Sequence, residues 1–432
     1  KKATKVIIAT DADREGESIG VEALRIIQET NPSIPVERAY FSAMTPKELQ
    51  VSFDKLVKVD FNLSDSADSR REIDLVWGAV LTRFVSLMSN RMGQEFISVG
   101  RVQTPVLALI VNREKERQAF VVQPYWEIIA HGEKEDKHEK KKFDAFHTLG
   151  KIFEEKKALD IFDKIKEEKK ALVKKVTTRK RNVARPIPFD TTTMLRAASA
   201  LGFTVGQAMN TAESLYMAGY ISYPRTDNQV YPSALNLHEF LDELKTHALY
   251  AKFVEEIVSK PLNPSRGGKN TTDHPPVHPT KVPEKGKIGD KEWKLFDLIA
   301  RRFLATLMED AETENVSVAL EIKQEPFVAT GQTILKQGWK AVYPFSQLEE
   351  VILPPLKEGE HVPVEKIEMP RKETQPPARY SQSALLKLME ELGLGTKCFS
   401  GETLVKVFNS DIVQEISMKN IFDHAKTLNL TQ

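Results

Sequence analysis

KVIIATDADREGESIGVEALRIIQET, residues 5–30, decides the fold class of the first part of this chain. Its opening six residues are a short apolar run of the kind that forms a buried strand, and residues 18–30 repeat apolar side chains at helical spacing. Ser18 is a candidate helix cap, and Asn31 followed by Pro32 ends the helix. A strand, a polar loop and a helix in this order predict one unit of a parallel α/β sheet.

The loop between that strand and helix is rich in acidic residues. Asp11 and Asp13 follow the strand two positions apart, so an extended backbone points both carboxylates to the same side. Carboxylate oxygens suit Mg²⁺, which keeps waters for a phosphate, so we predict a Mg²⁺ site here. Glu15 and Glu17 add negative charge at the helix start, where simple capping against the helix dipole is the alternative explanation.

The bulk properties define the class of protein only loosely. A length of 432 residues exceeds what one hydrophobic core supports, which predicts several domains. The composition is that of a globular protein, and no run approaches the roughly 20 apolar residues of a membrane span. A net charge of +1 does not select a partner. The single cysteine, Cys398, excludes an intramolecular disulfide and favours a reducing, cytoplasmic location.

A second chemical candidate is MAGYISYPRTDNQVYP, residues 217–232. Tyr223 precedes Pro224 and Arg225, so a rigid backbone separates a hydroxyl from a fixed positive charge that can bind phosphate through two hydrogen bonds. A tyrosine with a pKa of about 10 is a weak nucleophile and requires such a cation. By this pattern alone, a buried strand tyrosine beside a surface arginine is the simpler interpretation.

Two further stretches carry weaker signals. In SVGRVQTP, residues 98–105, Arg101 and Gln103 lie at a predicted helix start and suit contacts to a nucleic-acid backbone. In TTDHPPVHPT, residues 271–280, His274 and His278 have a metal-ligand spacing, but the prolines exclude a helix and no cysteine is near, so we do not assign zinc. An orienting or phosphate-contacting histidine and an ordinary loop histidine both remain open there.

Taken together, five stretches resemble the type IA DNA topoisomerases, closest to the archaeal topoisomerase I and topoisomerase III-like branch. They occur in the family's order over residues 1–397: DADREGE, SVGRVQTP, GYISYPRTD, DHPPVHPT and GQTILKQGWKAVYP. One such motif would be suggestive, and five in order are specific.

The resemblance implies a role for each candidate residue. Tyr223 matches the nucleophile that joins a 5′-phosphate, whereas Tyr220 is structural. Asp11 and Asp13 match the Mg²⁺ carboxylates of a Toprim domain. The remaining matches are Glu15 as the accompanying acid, Arg225 as the arginine at the scissile phosphate, His274 as the active-site histidine, and Arg101 and Gln103 in the single-strand groove; we add Thr226 and Asp227, which follow Arg225, to the DNA-binding set.

The implied fold is multidomain, with α/β, helical and β-rich parts that form the torus of this family. The ranges are a partial Toprim α/β domain at 1–58, a helical gate or DNA-binding domain at 59–122 and 373–397, a β-rich arch at 123–184 and 316–372, a helical domain with the tyrosine at 185–315, and a β-rich Hint fragment at 398–432. In the family, the tyrosine domain lifts away to open a gate for a second strand.

Two departures from the family pattern affect the prediction. The family's first Toprim strand, with its catalytic glutamate and a nearby lysine, would precede Lys1, so we expect this stretch to cleave DNA poorly. After GLGTK at 393–397 the family pattern stops, and CFSGETLV resembles the first block of an intein, in which Cys398 would take over the acyl group of Lys397. We therefore interpret the chain as cut at both ends.

The predicted function is ATP-independent relaxation of negatively supercoiled DNA through single-stranded segments, since no P-loop motif is present. Localisation would be cytoplasmic, with the nucleoid. The alternatives are a single-stranded-DNA-binding fragment that does not cleave, the topoisomerase half of a reverse gyrase, and a different Toprim enzyme such as a primase or nuclease, which has no need of a tyrosine nucleophile.

Overall fold

The computed structural model describes residues 3–91, 93–136, 139–271, 274–284, 286–345, 350–394, 404–409 and 412–417. The helices are α1 Arg14–Thr30, α2 Pro46–Asp54, α3 Phe61–Met88, α4 Gln103–Ala119, α5 Glu155–Ile165, α6 Thr191–Ala200, α7 Val205–Met217, α8 Leu237–Lys245, α9 Ala248–Val258, α10 Asp290–Leu307 and α11 Gln382–Glu391. The strands are β1 Val6–Ile8, β2 Val36–Arg38, β3 Pro124–Trp126, β4 Ile129–Asp136, β5 Glu139–His147, β6 Lys170–Val183, β7 Ala311–Ile322, β8 Glu325–Lys336, β9 His361–Glu368, β10 Arg371–Glu373, β11 Leu404–Asn409 and β12 Ile412–Ser417.

The chain begins with the predicted α/β unit. Strands β1 and β2 pair in parallel, and α1 crosses between them and packs on α3. The predicted cap was wrong, because α1 begins at Arg14 and Asp13 accepts a hydrogen bond from the Gly16 amide. Ser18 is buried inside the helix, where its hydroxyl donates to Asp68 at 2.7 Å.

Six strands form a closed antiparallel barrel in the order β4, β5, β8, β7, β6, β9, with β9 returning to β4. They come from two separate parts of the sequence, before and after the main helical region. The barrel core is aliphatic and aromatic and includes Val173, Val318 and Phe327, which are fully buried. The Lys-rich helix α5 ends at Ile165, and Ala171 and Val173 alternate into this core as part of β6.

Between β6 and β7 the chain forms a helical module, residues 184–310, that contains α6 to α10. Its core is the largest in the molecule as described and surrounds α10, where residues such as Leu295, Phe296 and Leu304 are fully buried. Strand β7 begins at Ala311, inside the range predicted for the helical domain, because Ala311 is buried in the module's core while already paired with Val183.

The remaining helices link these parts. The loop before α11 contacts α4, where the Arg113 guanidinium donates to the Tyr380 hydroxyl at 2.8 Å. Helix α11 itself packs against α6 of the helical module, and Leu386 contacts that core. No helix within the described part of the chain combines the length and apolarity required to cross a membrane.

Candidate functional site

The two aspartates lie where β1 gives way to α1. The Asp13 carboxylate caps the helix, accepting from the Gly16 amide at 2.7 Å. Gly16 permits this turn because a Cβ there would lie 2.2 Å from the Asp11 carbonyl oxygen. The helix dipole favours negative charge at this position. The capping explanation therefore holds for Asp13, but it uses only one of its two carboxylate oxygens.

The second oxygen of Asp13 faces the helical module. It accepts a hydrogen bond from the Tyr223 hydroxyl at 2.8 Å, and the Asp11 carboxylate accepts one from the Tyr216 hydroxyl at 2.9 Å. The two tyrosine rings are in edge contact, with centroids 5.2 Å apart. Both aspartates thus point to one side, toward a pair of tyrosines from another part of the chain.

Tyr216 was missed by the sequence analysis. It lies on α7 and is 97% buried, with a relative exposure of 3%. In the sequence it follows Ala212 and Leu215 on the apolar side of an amphipathic helix, which is the pattern of an ordinary core residue. Only the docking of α7 against Asp11 shows that its hydroxyl belongs to this site.

Both tyrosines are held in the neutral form. Burial raises the pKa of Tyr223 above its ordinary value, and the hydrogen bond to Asp13 and the charges of Asp13 and Asp11 raise it further. Burial and Asp11 raise the pKa of Tyr216 in the same way. The positive charge of Arg225 opposes this effect on Tyr223. A cation near the hydroxyl is therefore the requirement for making Tyr223 a nucleophile.

His274 lies directly beside Tyr223. Their ring centroids are 4.5 Å apart, and the Nδ1 atom of His274 lies 3.0 Å from the Ser42 hydroxyl oxygen. The Tyr223 backbone amide donates to the Ser42 carbonyl at 2.9 Å. Ser42 follows β2 in the N-terminal α/β unit. The sequence analysis did not identify it as a site residue. His278 is separate, buried against Phe240 with its Nδ1 atom 2.7 Å from the Pro276 carbonyl.

The other residues around the tyrosine differ in exposure. The Arg225 side chain is 60% exposed and pairs with Glu213 on α7, so it is available from solvent. Thr226 is buried, and its hydroxyl donates to the His274 carbonyl at 3.2 Å, which is a structural contact. Asp227 is half-buried. Of the residues expected on DNA in this loop, Arg225 is the most accessible.

The two glutamates at the start of α1 have different surroundings. Glu15 is exposed and pairs with Arg70 at 2.9 Å. Glu17 is buried and pairs with buried Arg38 at 2.8 Å, so it is a structural ion pair. Arg38 also donates to the Asp11 carbonyl at 2.7 Å and fixes the backbone that carries the carboxylates.

Arg101 and Gln103 lie at the start of α4. Gln103 is the first residue of α4 and donates to the Ser98 hydroxyl at 2.8 Å, whereas Arg101 pairs with Asp74 on α3. Arg101 also lies close enough to Arg70, the ion-pair partner of Glu15, for their charges to interact. Cys398 lies outside the described residues.

The carboxylates of Asp11 and Asp13 suit Mg²⁺ better than they suit a metal ion whose ligands are all protein side chains. Within the described ranges, no three histidine, cysteine, aspartate or glutamate side chains are grouped to hold a metal ion. Mg²⁺ in phosphate-transfer sites typically uses one or two carboxylates and completes its shell with waters and phosphate oxygens. Asp11 and Asp13, both at the module interface, fit that donor set.

Comparison with known proteins assigns the family. A family model described as DNA topoisomerase matches residues 58–432, and one described as Toprim domain matches residues 1–44. DNA topoisomerase 1 of Archaeoglobus fulgidus is 46% identical over 408 residues, covering 94% of this chain and 59% of that protein. Human DNA topoisomerase 3-alpha is 33% identical, covering 93% of this chain and 40% of that protein.

The fold agrees with these sequence matches. The structure of full-length topoisomerase I from Thermotoga maritima superposes with a TM-score of 0.72 at 26% identity, covering 90% of this chain and 64% of that one. The chain therefore belongs to the type IA DNA topoisomerases. It spans roughly half the length of the curated relatives it matches, for example 40% of the human protein and 59% of the Archaeoglobus protein.

Proposed function

We propose that the protein carrying this chain is an isomerase that relaxes negatively supercoiled DNA by cutting one strand, passing another and resealing. The observation that supports this most directly is the 2.8 Å contact between the Tyr223 hydroxyl and the Asp13 carboxylate. It brings a nucleophile of one domain to the carboxylates of another. Cytoplasmic location, with the chromosomal DNA, follows from this substrate.

The chemical step is a transesterification. The Tyr223 oxygen bonds to the phosphorus while the bond from phosphorus to the 3′-oxygen breaks. The phenol loses its proton and the leaving 3′-oxygen gains one, which yields a 5′-phosphotyrosyl link and a free 3′-hydroxyl. One phosphate ester replaces another, so resealing is the reverse reaction and requires no ATP.

Asp11 and Asp13 would hold Mg²⁺ in this reaction. When bound, Mg²⁺ supplies positive charge that stabilises the charge developing on the phosphate oxygens. Arg225 would contact the scissile phosphate with its exposed guanidinium, and His274 lies close enough to Tyr223 to contact the same group. Glu15, at the edge of the site, is the accompanying acid.

Single-stranded DNA would reach the site along a groove that includes Arg101 and Gln103. Their position at the start of α4 suits backbone phosphate contacts. Strand passage would require the helical module to separate from the N-terminal α/β unit, which opens a gate in the torus. The described contacts across that interface are mainly polar, such as the Lys47–Glu239 pair at 2.6 Å, and suit repeated opening.

The decisive experiment is trapping of a covalent adduct. End-labelled single-stranded DNA is incubated with Mg²⁺ and either the complete gene product or the 432-residue chain, then quenched with denaturant. With the complete gene product we expect an adduct on the 5′-phosphate side that is lost in Tyr223→Phe and kept in Tyr220→Phe, since Tyr220 packs on the helical core. An adduct that survives in Tyr223→Phe would contradict the assignment of the nucleophile.

The same experiment distinguishes DNA cleavage from the alternative function, in which the chain binds single-stranded DNA and does not cleave it. Binding of the oligonucleotide without an adduct would identify it, provided that the complete gene product does form the adduct.

For the segment that begins at Cys398, we propose the start of an intein. Strands β11 and β12 form an antiparallel hairpin, which suits a β-rich Hint fragment. The DNA topoisomerase model also matches through residue 432, so ordinary family sequence is the competing explanation. Mass spectrometry of the complete gene product decides between them: splicing leaves a peptide that joins Lys397 to a downstream residue, and Cys398→Ala abolishes it.

A further inference from the structure

The loop after β2, residues 42–45, is the point where the N-terminal α/β unit contacts the reactive segment of the helical module; we call it the Ser42 loop. Ser42 makes two contacts there. Its carbonyl accepts from the Tyr223 amide at 2.9 Å, and its hydroxyl lies 3.0 Å from Nδ1 of His274. A single residue therefore touches both the candidate nucleophile and the candidate active-site histidine.

A third contact shows that the loop and the module fit closely. Gly219 of the helical module adopts a φ of +74°, and a Cβ at this position would lie 3.0 Å from the Met44 carbonyl oxygen. Met44 also packs on the module's core. The Ser42 loop is thus seated against the turn that leads into Tyr223.

The loop is also fixed from its own side. The Glu48 carboxylate accepts hydrogen bonds from the Ser42 and Ala43 amides, at 2.6 and 3.0 Å. Thr45 caps α2 through the Glu48 amide, and Pro46 occupies the first helical position. Because both backbone amides are held, the Ser42 carbonyl and hydroxyl present a defined geometry to the module.

We propose that Ser42 is a positioning residue for DNA cleavage: its hydroxyl sets the orientation of the His274 ring against Tyr223, and its carbonyl sets the position of the Tyr223 backbone. This rests on the proposed function. The contact with the Ser42 hydroxyl holds Nδ1 of His274, and this fixes the orientation of the ring and the direction in which Nε2 points. The His274 ring, tilted against Tyr223 with its centroid 4.5 Å from that of the tyrosine ring, is then held for contact with the scissile phosphate.

Substitution of Ser42 by alanine removes only the hydroxyl. Two hydrogen bonds survive the change because they involve backbone atoms of Ser42. In one, the Tyr223 amide donates to the Ser42 carbonyl, and in the other the Ser42 amide donates to the Glu48 carboxylate. Ser42→Thr keeps a hydroxyl and is the conservative variant. Ser199→Ala is the matched control, because the Ser199 hydroxyl is also half-buried but donates to the Leu195 carbonyl within α6, away from His274.

The first measurement is single-turnover cleavage of an oligonucleotide by the complete gene product, with the dissociation constant for the same DNA measured separately. We expect Ser42→Ala to slow adduct formation by about 10- to 100-fold, as misplacement of a reacting group does, with DNA affinity unchanged. Ser42→Thr restores most of the rate, and Ser199→Ala cleaves as the wild type does.

The second measurement does not depend on activity. In the 432-residue chain labelled with ¹⁵N at its nine histidines, the His274 ring signals are identified by their loss in His274→Asn. Ser42→Ala shifts those signals and Ser199→Ala does not. Unchanged His274 signals in Ser42→Ala would refute the proposal.

The two measurements distinguish the possible failures. A wild type without any adduct overturns the proposed function, and with it a role for Ser42 in cleavage. A wild-type adduct with unchanged cleavage by Ser42→Ala overturns the role of Ser42 alone. An equal loss of DNA affinity and cleavage rate would show that Ser42 supports the interface without positioning His274.

Discussion

At the scale of single residues, the site depends on two hydroxyl–carboxylate pairs that join two parts of the chain. Tyr216 with Asp11 and Tyr223 with Asp13 lie side by side across the interface. Tyr223, the proposed nucleophile, lies in a loop, whereas Tyr216 lies in α7. The Tyr216–Asp11 pair therefore fixes the position of the Asp11 carboxylate, which lies in the same site as Tyr223 and Asp13.

Tyr216→Phe should weaken the closed arrangement of the site without removing the nucleophile. A hydrogen bond to a charged group contributes about 1.5–3 kcal/mol, so we expect adduct formation to fall by roughly 10-fold or more. The measurement is the rate of adduct formation beside that of Tyr220→Phe, which leaves both hydroxyl–carboxylate pairs intact. Equal rates for the two variants would show that the Tyr216–Asp11 bond does not stabilise the reactive state.

His278 gives the folded chain a specific dependence on pH. Burial lowers the pKa of His278 to about 4, against about 6.5 in an unfolded chain. Between these values the unfolded chain binds a proton that the folded chain does not. The contribution to stability is therefore complete above about pH 6.5 and is lost as the pH falls toward 4, by at most about 1.4 kcal/mol per pH unit.

The check is urea denaturation followed by tryptophan fluorescence at several pH values from 7.5 to 4.5. In His278→Gln the loss of stability over this range should be smaller, even though the variant is less stable at neutral pH. His361→Gln, at an exposed position on β9, is the control and should follow the wild type. Parallel pH profiles for His278→Gln and the wild type would contradict this prediction.

At the scale of elements, the start of α1 depends on close packing of backbone on backbone. Gly16→Ala places a Cβ 2.2 Å from the Asp11 carbonyl oxygen, so the loop that carries both aspartates must move. We expect a destabilisation of about 1–3 kcal/mol, typical of overpacking, and loss of adduct formation. Gly206→Ala in α7 is the matched control, since nothing lies within 4 Å of its Cβ position.

Thermal melting and adduct trapping measure both effects. The Gly206→Ala variant should be as stable as the wild type or slightly more so, because alanine has the higher helix propensity. If Gly16→Ala melts and reacts as the wild type does, the close approach of α1 to Asp11 is not a constraint on the site.

Local patterns predicted some of these elements and could not predict others. The unit from β1 to α1 followed from an apolar run and a helical repeat, and the aspartates stood out as a charge cluster after a strand. The cap was misassigned to Ser18 because a serine before apolar residues resembles a cap, while Asp13 three residues before Gly16 competes for the same role. When two neighbouring residues are equally suitable as helix caps, tertiary packing determines which of them caps the helix.

Local sequence patterns could not predict which residues contact the site residues in the folded chain. Tyr216, Ser42 and Arg38 act through contacts with residues far away in the sequence, and each resembles an ordinary core or turn residue in its own segment. Thr226 was expected on DNA because it follows Arg225, but it is buried against His274. The order of motifs predicted Tyr223 as the nucleophile, whereas only docking of the domains shows what surrounds that residue.

At the scale of the whole molecule, one arginine braces both connections between the barrel and the helical module. The Arg185 guanidinium donates to the Asn263 and Met308 carbonyls at 2.6 and 3.0 Å, and its amide donates to Asp310 at 3.1 Å. It thereby ties the chain entering the module to the chain leaving it. The module is also joined to the barrel by Trp339, Val342 and Tyr343, which follow β8 and pack in the module's core.

Arg185→Ala should loosen that connection and leave the chemistry intact. We expect faster hydrogen exchange at the backbone amides of residues 184, 185 and 308–311, because the guanidinium contacts with the Asn263 and Met308 carbonyls and the ion pair with Asp310 are lost. Cleavage of a short oligonucleotide should be unchanged. Lys174→Ala, which removes an ion pair with Glu321 within the barrel, is the control for exchange. Unchanged exchange at both connections would show that Arg185 does not brace them.

The pairing of β6 with β7 also bears on the history of the molecule. Their ladder closes with Val183 opposite Ala311, so the entire helical module occupies the place of a hairpin turn. A segment whose two ends are neighbours can be acquired or exchanged in one recombination event without disturbing the host strands. Tyr223, the proposed nucleophile, therefore belongs to a segment inserted between two barrel strands, and it meets Asp13 only where that segment contacts the N-terminal α/β unit.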